Sequence, residues 1–327
     1  MDKRILGRSG IEVTPLGMGC WVSGGVFQFN EIQAGWGEVD DSESIRVIQQ
    51  AHAKGITLFD TAAAYGTGHS ERILGQAVAG WRDQVIIATK FGLFIDEQAK
   101  YAGFYPTPDQ VIANVRAECE ASLRRLNTDY IDLYQLHVNE YPLELALPVR
   151  ETLEELVREG KIRYYGWSTD SVERARLFAE GEHCIAIQHD LNVVLDAADM
   201  LALCEQANLA SINRTPLARG ALTGKYTKDT VFPANDVRTD PWARDNILRP
   251  AFERLDDLRD VLTSGGRTLA QGALAWIWAR SSTTIPIPGI RTLAQLEDNA
   301  GAMQFGPLTS DQMRQIDELL ERPVAAQ

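Results

Sequence analysis

The strongest constraint on this chain is an alternation. Short apolar, β-rich runs recur eight times: TPLGMG (14–19), ITLFD (56–60), QVIIATK (84–90), YIDLYQLH (130–137), IRYYGWS (162–168), CIAIQ (184–188), LASINR (209–214) and TTIPIP (283–288). Stretches of helical period separate them, such as 41–55, 107–126, 144–161, 171–181 and 268–280. The first of these opens on acidic residues and stops at Gly55; the second has Thr107 as N-cap and Pro108 at its first helical position. Continuous apolar strands alternating with amphipathic helices predict a parallel sheet covered by helices. Eight such units predict a closed (β/α)8 barrel, the TIM-barrel architecture.

RILGRSGIEV (4–13) reads separately as a β-hairpin with a Ser-Gly turn that closes the barrel floor. The longest connections, 20–40, 91–106 and 215–247, follow the first, third and seventh strands. No repeat or linker interrupts the chain, so residues 1–327 read as one domain. With 32 basic and 45 acidic residues the net charge is −13, which disfavours nucleic-acid and anionic membrane partners. A phosphate-bearing ligand therefore needs a local cation. The start lacks a signal-peptide core and no apolar run reaches spanning length. Four scattered cysteines without CxxC spacing indicate free thiols and a cytoplasmic setting. The five histidines form no HExxH or HxH pair, so no metal site is expected.

Barrel chemistry sits at the C-terminal ends of the strands. Those ends carry Asp60 and Tyr65 (second strand), Lys90 (third), His137 (fourth), Ser168 (fifth), Gln188 (sixth) and Arg214 (seventh). Any one of them alone reads as a turn residue, an edge charge or a structural histidine. Together they project into one shared space. A Tyr65 hydroxyl is a proton donor at neutral pH, with a reference pKa of about 10. A neighbouring Lys90 ammonium is expected to lower that pKa, Asp60 to hold Lys90, and His137 to bond the oxygen being protonated. That is proton delivery to a developing alkoxide, as carbonyl reduction requires. The hydride must come from a cofactor. A GxGxxG fingerprint is absent, since Gly17-Met18-Gly19 is followed by Cys20-Trp21-Val22. A dinucleotide would have to lie across barrel loops.

These residues resemble the aldo-keto reductases over nearly the whole chain. FDTAAAYGTGHSERILG carries Asp60 and Tyr65, ATKFG carries Lys90, and YIDLYQLH carries His137. TPLARGALTGKY (215–226) and IPIPGIRTLAQLEDNAGA (285–302) are similar to the family's cofactor segments after strands 7 and 8. The resemblance implies an NADPH-dependent reduction of an aldehyde or ketone, without metal and with NADH less favoured. It makes Tyr65 the general acid, tuned by Lys90 and Asp60, with His137 orienting the carbonyl. Ser168 and Gln188 would hold the nicotinamide carboxamide, and Asp60 would border the cofactor. Backbone in 216–220 (Pro216, Leu217, Ala218, Arg219 and Gly220) would cradle the pyrophosphate, with Lys225 nearby and Thr215 a further cofactor contact. Gly289, Arg291, Gln295 and Asn299 would surround the adenosine end, with Asp298 a further cofactor contact. Gly19, Cys20, Trp21 and Arg238 complete the implied cofactor contacts.

The chain departs from the family at three places. Thr169 follows Ser168 where many members have asparagine, so one carboxamide contact is either lost or supplied by Asp170. Arg214 replaces a ring-stacking tyrosine of some members, and a guanidinium also stacks flat on a ring. Gly289-Ile290-Arg291 replaces a lysine-serine pair, and Arg291 suits a 2′-phosphate. An alternative of the same fold is a non-enzymatic, cofactor-binding regulatory subunit; a metal-dependent hydrolase using Asp60 and His137 is opposed by Lys90. Trp21, Phe27, Phe29, Trp36, Tyr101, Phe104, Tyr105, Tyr141 and Trp242 suggest an apolar-walled pocket for a small carbonyl substrate. A homo-oligomer is left open.

Overall fold

The structure, a computed structural model, describes residues 1–322. Eight parallel strands run in sequence order around a barrel: β1 (Met18–Gly19), β2 (Leu58–Asp60), β3 (Ile86–Phe91), β4 (Ile131–Leu136), β5 (Ile162–Ser168), β6 (Cys184–Asp190), β7 (Ala210–Arg214) and β8 (Thr284–Pro286). The backbone N–H groups of Gly17 and Gly19 donate to Pro286 O and Pro288 O, both at 3.0 Å, and join β1 to β8. The expected (β/α)8 barrel is present.

Side chains alternate across each strand, and the alternation builds two cores. Leu58, Ile86, Ala88, Leu133, Ala186, Ile212 and Ile285 fill the barrel interior. The intervening Phe59, Ile87, Tyr134, Tyr165, Trp167 and Ile187 face the helices. Helix Asp41–Ala53 begins where Asp40 accepts from the Glu43 N–H, and Gly55 follows it at φ 90°. Helix Leu269–Arg280 opens on a capping box made by Thr268 and Gln271. Thr107 lies just outside its helix, which runs Asp109–Leu126 after Pro108.

The N-terminal strands Arg4–Ile5 and Glu12–Val13 pair antiparallel as expected. Their connection differs: a 3-10 turn, Gly7–Ser9, ends at Gly10 with φ 71°, in place of a two-residue Ser-Gly turn. Leu6 and Val13 join the barrel interior, and Arg8 donates to the carbonyls of Ala179 and Ala207. A Cβ on Gly7 would stand 2.1 Å from Ile185 O, so the hairpin fits the floor only with glycine there.

The long connections after β1 and β3 are not featureless. Strands Phe27–Phe29, Ile32–Ala34, Phe94–Asp96 and Tyr101–Gly103 form a second, four-stranded sheet. Its buried side packs on Ala64 and Val138, neighbours of Tyr65 and His137. The connection after β7 meets the one after β1, where Val237 N–H donates to Gly35 O at 2.8 Å. Among the described residues no helix is long and apolar enough to cross a membrane.

Candidate active site

The interior alternation continues upward into chemistry. Two residues beyond the last apolar interior position of its strand stand Asp60 (after Leu58), Lys90 (after Ala88), Gln135 (after Leu133), Gln188 (after Ala186) and Arg214 (after Ile212). Ser168 follows Gly166 in the same way on β5, and His137 follows Gln135. The top layer of the barrel core is thus polar and convergent.

Lys90, 1% exposed, lies at its centre. Its Nζ donates to Asp60 Oδ2 at 2.6 Å, Thr61 O at 2.9 Å and Tyr65 Oη at 3.2 Å. Burial, the largest influence, pulls the Lys90 pKa down, but Asp60 and Tyr65 together hold it above the ordinary lysine value, so it stays an ammonium. Burial likewise dominates at Tyr65 and raises its pKa. Lys90 opposes that rise without reversing it. The expected net lowering of the Tyr65 pKa is therefore corrected: in this protein Lys90 limits the effect of desolvation. Tyr65 remains a protonated donor at neutral pH. Burial, then the charges of Lys90 and Arg214, push His137 well below the usual histidine range, leaving it neutral.

Trp21 stacks on Tyr65 at 5.7 Å with planes 19° apart, and His137 meets Tyr65 edge-on at 5.7 Å. Trp36 touches Trp21 edge-on. These rings frame the mouth. Tyr141 does not: it is 1% exposed, its hydroxyl donates to Pro108 O, and it packs on Trp167 in the outer core.

The implied cofactor residues divide. Gln188 Nε2 donates to Asp60 Oδ1 at 2.7 Å, so its amide nitrogen braces Asp60. Gln135, which sequence reading missed, braces the same oxygen from 3.2 Å. Counting inward positions along β4 would have found it. Thr169 donates to Asn139 O, and Ser168 ends β5 almost inaccessible. Asp170 does not stand free for a carboxamide, because Arg214, Asn139 and the Asp190 N–H all donate to it.

Thr215, Ala218, Arg219 and Gly220 take left-handed backbone, with φ from 46° to 95°, and Pro216 and Leu217 complete that bend. Arg219 Nε and Nη1 are buried with no partner, as are the indole nitrogens of Trp21 and Trp36. Burial lowers the Arg219 pKa to about 10. Its guanidinium lies 5.5 Å from the Trp21 ring. Cys20 is buried beside β1, its N–H donating to Asp60 O. Gly19 faces Ile287 O so closely that a Cβ would stand 2.8 Å away, and one on Gly289 would stand 2.8 Å from Val22.

Arg238 is paired with Asp236 and lies over Trp36, Tyr226 and Phe232, while Lys225 is exposed. Arg291 donates to Trp36 O at 2.7 Å and to Glu38 O, tying the connection after β1 to the top of β8. Gln295 accepts from the Arg291 N–H, and Asn299 is buried nearby on the same helix. Asp298 accepts from the Thr268 hydroxyl at 2.7 Å, which engages it in a helix cap.

Comparison with known proteins agrees with this geometry. The aldo/keto reductase family model matches residues 16–321. The aldo-keto reductase YhdN of Bacillus subtilis (strain 168) is 34% identical, covering 99% of this chain and 95% of that protein. The NADH-specific methylglyoxal reductase of Escherichia coli (strain K12) is 32% identical, covering 98% of this chain and 100% of that protein. Among solved structures, the glycerol dehydrogenase AKR11B4 from Gluconobacter oxydans superposes with a TM-score of 0.80 at 30% identity, covering 100% and 98% of the two chains. An aldo/keto reductase from Klebsiella pneumoniae, solved with NADP and acetate, gives 0.73 at 26% identity, covering 100% and 98%. With the family match spanning nearly all its length and the barrel and its strand-end residues in place, this chain belongs to the aldo/keto reductase family and is an enzyme of that kind.

Proposed function

We propose that the protein reduces an aldehyde or ketone to an alcohol, with NADPH favoured over NADH as hydride donor. The observation that carries this reading is Lys90 Nζ lying between Asp60 and the Tyr65 hydroxyl, at 2.6 and 3.2 Å. The site fits a dinucleotide. Unpartnered buried donors on Arg219, Trp21 and Trp36 call for an acceptor-rich, anionic ligand, and Gly19 and Gly289 keep the backbone bare between β1 and β8. Thr215–Gly220, Arg219 and Lys225 would hold its phosphates, Arg291, Gln295 and Asn299 its adenosine end, and Ser168 and Arg214 the region of its nicotinamide. When bound, this group supplies the hydride, for which no side chain offers an equivalent.

The chain's own residues do the proton chemistry. A substrate carbonyl oxygen in the mouth accepts from Tyr65 Oη, and neutral His137 orients it. As the oxygen gains charge, the Tyr65 proton moves to it and Lys90 stabilises the phenolate left behind. Asp60, braced by Gln135 and Gln188, keeps Lys90 charged and fixed. Trp21 and Trp36 give the pocket an apolar wall suited to a small carbonyl compound. NADPH is supported by the need for a cation at a 2′-phosphate, which Arg291 meets, and by the Klebsiella neighbour's NADP. The four free, buried cysteines are consistent with a reducing, cytoplasmic setting. The test is NADPH consumption with a reactive aldehyde. Steady turnover, lost in Tyr65→Phe, is expected; cofactor binding with no turnover across a carbonyl panel would instead support a regulatory subunit.

A further inference from the structure

The loop that carries Tyr65 runs into the helix His69–Val78, and two side chains of that helix's first turn take no part in the proton chemistry above. Ser70 and Glu71 are both 0% exposed. A carboxylate so placed needs partners, and Glu71 has two. Its Oε2 accepts from Arg125 Nε at 2.6 Å, and its Oε1 accepts from the Thr89 hydroxyl at 2.7 Å. Thr89, also inaccessible, is the residue before Lys90 on β3. Side chains alternate along a strand, so Thr89 points out to the helices while Lys90 points in. Glu71 therefore holds the strand from behind Lys90.

Ser70 holds the Tyr65 side. Its backbone N–H donates to Tyr65 O at 3.2 Å, and its hydroxyl donates to Cys20 O at 2.7 Å. With that proton committed, the Thr61 hydroxyl, 2.8 Å away, is the donor between Thr61 and Ser70. The Thr61 carbonyl in turn accepts from Lys90 Nζ at 2.9 Å. Two adjacent residues of one helical turn thus reach the loop of Tyr65, the end of β2 and the strand of Lys90. Arg125 fixes Glu71 from the next helix and is itself bonded to Ser122 and Glu97. Lys90 keeps its ion pair with Asp60 by a separate contact, so its charge does not depend on this turn.

Resting on the reading of Tyr65 as the proton donor in carbonyl reduction, we propose that Ser70 and Glu71 are positioning residues whose turn sets the 3.2 Å separation of Tyr65 Oη from Lys90 Nζ. Ser70 acts from the Tyr65 side, and Glu71 acts through Thr89 from the Lys90 side. Proton delivery depends steeply on such placement, and a shift of about 1 Å can cost about a hundredfold in rate.

Two substitutions each cut one tie and leave the Glu71–Arg125 ion pair in place: Ser70→Ala and Thr89→Val. Each should lower kcat per folded molecule about tenfold in NADPH-dependent reduction of a reactive aldehyde, with KM and NADPH affinity near wild type. Thr89→Ser returns the hydroxyl and should restore the rate. In a Tyr65→Phe background the same substitutions should hardly change the residual rate, because a residue acting through the Tyr65 hydroxyl has nothing left to position. Ser70→Ala carries the test if Thr89→Val does not fold. Variants that keep the wild-type kcat and lose only stability in urea would overturn the proposal and leave the turn a scaffold. A tenfold loss that persists in the Tyr65→Phe background would overturn it too. Wild-type protein without turnover, or Tyr65→Phe at the wild-type rate, would overturn the proton-donor reading beneath it, and this inference with it.

Discussion

Asp132 and Asp60 are both nearly inaccessible carboxylates on barrel strands, at 1% and 2% exposure, and both hold cations. At Asp132, near the floor, every donor stays within the scaffold. Arg82 approaches at 2.7 Å, Arg163 at 3.1 Å and the Ile87 N–H at 3.0 Å. The other donors of Arg82 go to Thr128, Val85 O and Tyr130 O, and its guanidinium lies 4.1 Å from the Tyr130 ring. At Asp60, near the mouth, the chain of donors does not close. Lys90 sends one N–H to Asp60, one to Thr61 O and the third to Tyr65, which opens to the pocket. Burial and ion pairing are alike at the two ends. What separates chemistry from scaffold is where the last donor points, as expected for a barrel whose two faces have different tasks.

The largest effect expected is on rate. Tyr65→Phe should lower kcat by about 10²–10⁴-fold while NADPH affinity stays near wild type, because in the proposed mechanism the hydroxyl acts on the developing alkoxide. Steady-state kinetics with fluorescence titration of the cofactor checks both halves. At the other end, Asp132→Ala should reduce unfolding free energy by about 3–5 kcal/mol, since it leaves Arg82 partly buried without its partner. Urea unfolding measures this, and kcat per folded molecule should hold. A rate loss matching that of Tyr65→Phe would break the distinction between the two ends.

A smaller effect tests the scaffold beside the site. His189 is 1% exposed, and burial lowers its pKa to about 4. The folded protein therefore binds fewer protons there than the unfolded chain between about pH 6.5 and 4. The stability it contributes is fully present above about pH 6.5 and falls as pH drops through that window, by about 2 kcal/mol at pH 5. Urea midpoints at pH 7 and 5 should show this, with a flatter dependence in His189→Gln. The smallest effect concerns Arg291. Its guanidinium must leave Trp36 O and Glu38 O to meet a 2′-phosphate, so Arg291→Ala should weaken NADPH by only about tenfold and NADH hardly at all. Equal losses for both would make Arg291 a tie for the connection after β1 and nothing more.

Sequence periodicity carried the barrel because each strand's burial is local: two faces, two cores, a period of two. It carried Asp60, Lys90 and His137 because each ends such a run. The second sheet escaped because its strands are three residues long and pair across distance, Gln28 with Tyr101, for example, so no local pattern marks them. Gln135 escaped because a polar residue inside an apolar run is ambiguous until its neighbours are known. The direction of the Tyr65 shift was misread for a related reason. A sequence names the nearby ammonium but not how much water the fold removes. Arg291 shows the same limit, since its carbonyl partners lie more than 250 positions away in the chain.

The central claim is that Lys90 serves Tyr65 and not merely the fold. It is tested most directly by the pH–rate profile of kcat in Lys90→Met beside wild type, with urea unfolding of the same samples. The account predicts a nearly silent enzyme whose residual rate has lost the wild-type pH dependence, because Tyr65 no longer has an ammonium opposing its burial. Lys90→Met protein that keeps the wild-type rate and profile, losing only stability, would place Lys90 with Arg82 among the scaffold cations and contradict the mechanism.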